Sequence, residues 1–197
     1  SPCEVLDDVA KGQDDCLFVG KPCDVAAVSK AVRMNSDLNS RIGCTIAFFC
    51  AGTPSTYGTL ELMKKVGVRD PATVKNLRYR GNGWPGMWTV TFHDGSEMSK
   101  ELTYEESWGF LQRYRQWRCY ICPDHTGEFA DIAVGDPWYR EVKPGESGSS
   151  LIVVRTSRGR DFLKAAVASG HITLTGKDAN LLPRSQPNLL ATRGGLW

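Results

Sequence analysis

The sequence predicts an α/β fold, or an α+β variant of it: a mixed sheet with parallel strand–turn–helix units, an antiparallel hairpin insertion, and helices packed on the sheet. Two strand–turn–helix units follow one another near the N-terminus, a pattern typical of parallel strands with helical crossovers. Further along, apolar and polar side chains alternate, as in antiparallel strands. With 197 residues, 41% of them hydrophobic, the chain can bury a sizeable core.

The two N-terminal units place their turns at the ends of buried strands. A strand over residues 15–20 leads to Pro22, which favours the first turn of a helix. A second apolar strand over 44–50 leads through the turn 51–55 into a helix predicted to end at Gly67. Because parallel strands end at one edge of a sheet, ligands usually bind there.

The remaining elements follow from alternation, capping and turn signals. Thr103 and Glu106 have the spacing of a capping box, which predicts a helix start. Residues 1–180 are predicted to form one domain, and 181–197, with two prolines and a glycine pair, an irregular segment. The other predicted elements are strands over 74–80 and 88–92, a hairpin turn over 93–95 into a strand over 96–102, strands over 130–134 and 149–155, a helix over 160–169 and a strand over 171–175.

Charge and cysteine usage exclude several classes of protein. The net charge of +2 with interspersed signs does not favour nucleic acid or an anionic membrane, and no apolar run has transmembrane length. Seven irregularly spaced cysteines are typical of reduced thiols in the cytoplasm, with Cys16 and Cys44 interpreted as buried, inert side chains. A start at Ser1 rather than Met predicts a fragment of a longer protein.

The pair Cys119 and Cys122 is the strongest local signal. A CxxC turn can direct two soft thiolates at one metal ion or cluster, zinc or iron–sulfur. A redox disulfide is the competing use, although thioredoxin-type pairs lie at a helix start after a strand. Cys23 and Cys50, each at a predicted strand end, complete a hypothetical set of four ligands.

The stretch Gly81-Asn82-Gly83-Trp84-Pro85-Gly86 matches the GxGxxG pattern of dinucleotide-binding proteins. That fingerprint needs a helix to begin within the motif, whereas Pro85 and the alternating residues after it indicate a turn between strands. Two interpretations stay open. One is a tight turn, and the other is a glycine-rich loop that approaches a flat cofactor, with Arg78, Arg80 and Trp84 nearby.

An acidic stretch surrounds the second cysteine pair, with Thr126, Glu128, Asp131 and Asp136. Carboxylates in this stretch could serve in general acid–base catalysis or bind a hard metal ion, but capping of the loop and a solvated rim are the favoured interpretation. His125 is interpreted as a hydrogen-bonding loop residue. The sequence has no Ser-His-Asp arrangement, Walker loop or HExxH motif, so it does not support a hydrolase or a kinase.

Taken in order, these motifs resemble the C-terminal domain of the coenzyme F420 hydrogenase/dehydrogenase beta-subunit family. They cover roughly three quarters of the chain. The matching segments are Gly20-Lys21-Pro22-Cys23-Asp24-Val25-Ala26-Ala27, Phe48-Phe49-Cys50-Ala51-Gly52-Thr53-Pro54-Ser55, Arg78-Tyr79-Arg80-Gly81-Asn82-Gly83-Trp84-Pro85-Gly86, Tyr104-Glu105-Glu106-Ser107-Trp108, Cys119-Tyr120-Ile121-Cys122-Pro123-Asp124 and 127–136.

The resemblance implies an oxidoreductase that passes electrons between a [4Fe-4S] cluster, FAD and a two-electron carrier such as coenzyme F420. It implies no catalytic side chain. The implied cluster ligands are Cys23, Cys50, Cys119 and Cys122. The implied flavin-binding residues are Lys21, Gly52, Thr53, Pro54, Ser55, Arg80, Asn82, Gly83, Trp84, Gly86, Thr126, Glu128 and Asp131.

Two departures from the family pattern bear on partners. Full-length relatives often carry a ferredoxin-like segment with clustered CxxCxxC motifs, which this sequence lacks. The chain is therefore expected to be a fragment or to rely on a separate iron–sulfur protein or domain, with homo-oligomer formation left open. Some relatives occur where F420 is not the carrier, so the acceptor stays open. A non-catalytic zinc domain and a scaffold with empty cofactor pockets are the alternative functions.

Overall fold

The computed structural model describes residues 2–93, 100–141 and 146–194 of the chain. These residues form two compact units. The first unit draws on Ser1–Ala51, Cys122–Arg140 and Ser149–Trp197, and the second on Gly52–Ile121 and Glu141–Gly148. The sequence predicted a single domain over 1–180, so this division was not foreseen.

Strands and helices alternate along the described residues, which confirms the α/β prediction. The strands are β1 (Cys16–Gly20), β2 (Ile42–Phe48), β3 (Val74–Arg78), β4 (Trp88–Phe92), β5 (Lys100–Leu102), β6 (Ile132–Gly135) and β7 (Leu151–Val154). The α-helices are α1 (Leu6–Lys11), α2 (Pro22–Met34), α3 (Ser36–Arg41), α4 (Thr56–Lys65), α5 (Tyr104–Leu111), α6 (Trp117–Tyr120), α7 (Ser157–Ala168), α8 (Leu181–Ser185) and α9 (Pro187–Gly194).

The first unit contains a mixed sheet with the strand order β1-β2-β6-β7. Strands β1, β2 and β6 are parallel, and β7 pairs antiparallel with β6. Ala47 pairs with Gly20 on one side and with Ala133 on the other. Side chains from the sheet, from α2 and α3 and from the loop before β6 form the core: Phe18, Val25, Val28, Leu38, Ile42, Ala47, Ala130 and Ala133.

The second unit contains a separate antiparallel sheet with the strand order β3-β4-β5. The predicted antiparallel hairpin is present in this sheet, where β4 pairs with β5. Trp88 and Val90 of β4 are fully buried, and they form a core with Leu62, Met63, Val68 and Leu111. With this apolar cluster, the three-stranded sheet has a hydrophobic core of its own. The predicted capping box is confirmed, because the Thr103 hydroxyl accepts from the Glu106 N–H at 3.2 Å and Glu106 Oε2 accepts from the Thr103 N–H at 2.9 Å.

The C-terminal third differs most from the prediction. Residues 171–175 form no strand and pair with no other strand of the described residues. Ile172 and Leu174 line a groove with Leu163 and Val167 of α7. The segment 181–194, expected to be irregular, forms α8 and α9. Helix α7 begins at Ser157 because the Thr156 hydroxyl caps it, accepting from the Gly159 N–H at 3.1 Å.

The predicted turn over 93–95 and the start of the strand over 96–102 fall partly on residues 94–99, outside the described residues, so that strand is seen as β5 alone. Among the helices of the described segments, none combines the length and the apolar character needed to cross a bilayer.

Candidate functional site

The carboxyl ends of β1 and β2 bring two predicted ligand cysteines to one edge of the first unit's sheet. Cys23 lies in the first turn of α2, directly after β1, and Cys50 follows β2. The Lys21 ammonium forms an ion pair with Asp24 at 2.6 Å. The hydrogen bond to Asp24 is the main cause that raises the pKa of Lys21; burial opposes it, and the charges of Asp24, Cys23 and Cys50 add to it. Both sulfurs therefore lie within electrostatic reach of one cation.

Cys50 and His125 are joined by two hydrogen bonds. The Cys50 N–H donates to the His125 carbonyl oxygen at 2.9 Å, and His125 Nδ1 lies 2.8 Å from the Cys50 carbonyl oxygen. The Cys122 thiol donates to the Asp124 carbonyl oxygen at 3.2 Å. The bonds of His125 thus hold the backbone three residues after Cys122 against Cys50. The assignment of Cys23, Cys50 and Cys122 as ligands stays a prediction.

The loop from Asp124 to Glu128 is preorganised by one carboxylate. Asp124 accepts hydrogen bonds from the N–H groups of Thr126 at 3.1 Å, Gly127 at 2.8 Å and Glu128 at 3.0 Å. Arg155 adds bonds to the Thr126 carbonyl and hydroxyl oxygens at 2.9 and 3.3 Å. Sequence reasoning missed Asp124 and Arg155. An Asp followed two residues later by Thr-Gly is the signal of an Asx turn, which could have identified Asp124.

Gly127 is required in this loop for two reasons. Its φ is +73°, a left-handed conformation that side chains rarely adopt. A Cβ at this position would also collide with the Cβ of Ala47 in the neighbouring strand β2. The loop therefore lies directly against the parallel strands.

Asp131, predicted to bind flavin, has its carboxylate engaged within the first unit. It is 3% exposed. It accepts from the Thr45 N–H and hydroxyl at 2.9 Å each, from the Thr156 hydroxyl at 2.6 Å and from Arg158 Nη2 at 2.9 Å. Burial raises the pKa of Asp131, but the hydrogen bonds from Arg158, Thr156 and Thr45 outweigh it, so the net pKa is lowered. The geometry is that of a structural node between β2 and the start of α7.

Cys119 lies in the second unit, where it meets the turn after β2. The Thr53 N–H points at Cys119 Sγ with an N···S distance of 3.4 Å. Gly52 has φ +115°, and a Cβ there would lie 2.5 Å from the Arg115 side chain. Pro54 pairs with Arg115 in an isolated bridge. The Ser55 hydroxyl caps α4, accepting from the Gly58 N–H at 3.3 Å. The structure thus joins the predicted 52–55 loop to the CxxC segment.

The predicted 80–86 loop is a tight turn between β3 and β4. No helix begins between Arg78 and Trp88, which confirms the rejection of a dinucleotide fingerprint. Arg80 Nε donates to the Pro85 carbonyl oxygen at 2.7 Å. Asn82 has φ +57°, and at Gly86 a Cβ would collide with the Gly81 backbone. A Cβ added at Gly83, by contrast, would have no other atom within 4 Å. Trp84 packs against Gly148, another residue of this unit.

The described residues contain no group of three or more His, Cys, Asp or Glu side chains placed to hold a metal ion. Cys16, Cys23, Cys44, Cys50, Cys119 and Cys122 are thiols rather than disulfides.

Comparison with known proteins places these features in a family. The family model for the C terminus of the coenzyme F420 hydrogenase/dehydrogenase beta subunit matches residues 13–180. The chain belongs to this family. Membership in this beta-subunit family indicates a redox role and confirms the resemblance found in the sequence motifs.

Two similar proteins give the extent of the match. An uncharacterized protein of Methanocaldococcus jannaschii is 29% identical over 162 residues, which are 79% of this chain and 39% of that protein. A chain of the F420-reducing [NiFe] hydrogenase complex from Methanosarcina barkeri has the same fold, with a TM-score of 0.62 and 20% identity over 98% of this chain and 64% of that chain. This family member therefore spans less than two thirds of either relative.

Proposed function

We propose that this chain is the flavin- and iron–sulfur-dependent part of an oxidoreductase, which passes electrons between a [4Fe-4S] cluster, FAD and a two-electron carrier such as coenzyme F420. Membership in the beta-subunit family supports a redox role of this type. The proposed cluster ligands are Cys23, Cys50, Cys119 and Cys122.

The observation that carries the proposal is the placement of thiols at the carboxyl ends of parallel strands. Cys23 and Cys50 lie within electrostatic reach of the Lys21 ammonium. Cys122 lies three residues before His125, whose ring and carbonyl groups contact the backbone of Cys50. The hydrogen bond from the Thr53 N–H to Cys119 Sγ also suits a cluster ligand, because hydrogen bonds to cluster sulfurs tune the reduction potential.

Internal hydrogen bonds hold the conformation of two of the loops proposed to surround the flavin. Asp124 and Arg155 hold the 124–128 loop, and Arg80 closes the 80–86 turn. A flavin, when bound, exchanges single electrons with an iron–sulfur centre and a hydride with a two-electron carrier. The residues of this chain then act by binding and orienting, and none of them is assigned as a nucleophile.

Anaerobic purification of the full-length polypeptide tests this function. Iron with acid-labile sulfide and bound FAD is the expected result, together with flavin bleaching when reduced F420 is added. Zinc without flavin would instead identify a structural metal domain. A folded protein that takes up no iron, zinc or flavin after reconstitution would identify a scaffold, and either outcome contradicts the proposal.

The exposed aromatic and arginine side chains around Cys119 suit the binding of an electron-transfer partner that has an acidic surface. Trp117 is 74% exposed, and its neighbours Tyr120 and Ile121 are 46% and 50% exposed. From residue 107 to 123 the sequence has arginines at 113, 115 and 118 and no acidic residue. Exposed aromatic and arginine side chains are typical of the centres of protein interfaces. We define residues 113–121 as the basic aromatic surface, and it lies beside a proposed cluster ligand.

Charge reversal at Arg118 tests this surface. With a reduced, acidic bacterial-type ferredoxin as the probe, Arg118→Glu is expected to lower the second-order reduction rate about tenfold at low salt, because electrostatic steering is lost. The difference should shrink at high ionic strength. The matched control is Arg69→Glu, an exposed arginine of the same unit. Equal rates for the two variants would rule out this role.

A further inference from the structure

Residues 172–175 of the first unit form a surface segment whose backbone has no partner. Apolar Ile172 and Leu174 alternate with Thr173 and Thr175, a pattern that favours a strand. Within the described residues, however, none of their N–H and C=O groups takes part in a backbone hydrogen bond. Thr173, Leu174 and Thr175 are all exposed. An exposed run of unpaired backbone groups is a template on which another chain can add a strand.

An apolar groove with a volume of about 640 Å³ lies between this segment and α7. Leu163 and Val167 of α7 line it together with Ile172 and Leu174. Val167 is 41% exposed and Leu174 is 44% exposed, so this apolar surface is open to solvent. A ribbon of two strands is only marginally stable by itself, but packing against a helix stabilises it. The exposed side of α7 can provide that packing for a strand added to residues 172–175.

The charged side chains that line the groove, among the residues that the structure describes, are two cations. Arg160 and Lys164 lie four residues apart, on one side of α7. Neither forms an ion pair within residues 2–93, 100–141 and 146–194. An occupant with carboxylates would therefore be complementary in charge. A second copy of this chain is disfavoured, because a two-fold contact through the groove would bring the same two cations from each copy to one interface.

We propose that residues 172–175 and the groove along α7 form a docking site for a strand of a partner protein. This strand has apolar residues at alternate positions and acidic residues beside them. Its backbone pairs with residues 172–175, its apolar side chains enter the groove, and its carboxylates meet Arg160 and Lys164. None of these residues belongs to the proposed cofactor site, so the docking site is independent of the proposed redox function.

Selection from a library of random octapeptides tests the docking site on the full-length polypeptide. The expected consensus has an apolar residue at every second position and at least one acidic residue. A synthetic peptide with this consensus is expected to bind the double variant Arg160→Glu/Lys164→Glu about tenfold more weakly at low salt, with a smaller difference at high ionic strength. The matched control is Lys30→Glu/Arg33→Glu, which reverses two exposed cations of α2 and should leave the affinity unchanged.

Methylation of the peptide backbone shows whether the peptide binds as a strand. In a paired strand, the N–H groups of alternate residues point to the neighbouring strand. N-methylation of one alternate set is therefore expected to weaken binding at least about tenfold, whereas methylation of the other set changes it by less than about threefold. This comparison uses the wild-type protein, so it stands even if a variant does not fold. Thermal melting shows whether each variant is folded.

Several results would overturn the docking site. They are a library that yields no binding peptide, a consensus that is basic or lacks alternation, equal affinity for the two charge variants, and an equal effect of the two methylated sets. Dodecanoate that binds with the same dependence on Arg160 and Lys164, where no peptide does, would identify a site for a small amphipathic anion instead. A wild-type dimer that dissociates in Arg160→Glu/Lys164→Glu would show that a second copy occupies the groove.

Discussion

The Cys119→Ser variant is expected to lose its iron–sulfur cluster, whereas Cys44→Ser keeps iron close to the wild-type content. A serine hydroxyl is a poor iron ligand, and a cluster with three thiolates is more easily lost. Cys44 is the matched control because its thiol is 2% exposed and burial raises its pKa, so it stays protonated. The measurement is iron and acid-labile sulfide per chain after anaerobic reconstitution.

The same experiment extends to the other cysteines. Cys23→Ser, Cys50→Ser and Cys122→Ser are expected to reduce iron as strongly as Cys119→Ser. Cys16→Ser is a second control, since Cys16 begins β1 and so lies at the strand end opposite to the one that leads to Cys23. The Cys16 thiol lies 3.7 Å from the Asp14 carbonyl oxygen. Equal iron loss in the control and ligand variants would contradict the assignment of ligands.

The second large effect concerns stability. Asp131→Asn is expected to lower the free energy of unfolding by about 2 kcal/mol, because it takes the charge from a buried carboxylate that accepts several hydrogen bonds and places an amide N–H against donors. The ion pair itself adds less, since the Arg158 side chain is half exposed. Thr45, Thr156 and Arg158 all donate to the carboxylate. The control is Asp161→Asn on the exposed face of α7, expected to change stability by less than about 0.5 kcal/mol. Urea unfolding of both variants measures the difference.

The pH dependence of this effect follows from the lowered pKa of Asp131. A carboxyl group whose pKa is lower in the folded state stabilises the protein above its unfolded pKa, near 3.9 in model peptides. This contribution is lost as the pH falls through the folded value. The difference in free energy of unfolding between wild type and Asp131→Asn should therefore be constant above about pH 5 and become smaller at lower pH. If this difference in free energy of unfolding became larger below pH 4, the ionised Asp131 carboxylate would not be the stabilising group.

Much of the site was predictable because it depends on local patterns. Apolar runs followed by Lys21-Pro22-Cys23 and by Cys50 indicated thiols at the ends of parallel strands, and the structure shows those strands as β1 and β2. The turn at residues 81–86 was predictable from Pro85 and the glycines around it. The strand predicted over 171–175 was wrong because a short alternation of apolar and polar residues also occurs in surface segments without a strand partner, and Leu174 is 44% exposed.

By itself, the sequence determined the family, the α/β class and the thiol-bearing turns, because motifs and periodicity are properties of neighbouring residues. Only the tertiary structure decided the roles of His125 and Asp131. His125 meets Cys50 across 75 positions of the chain, and Asp131 meets Thr45 across 86. Contacts of this range depend on how β2 and β6 pair, which no local pattern specifies. That pairing made Asp131 a structural node and placed the buried His125 against Cys50.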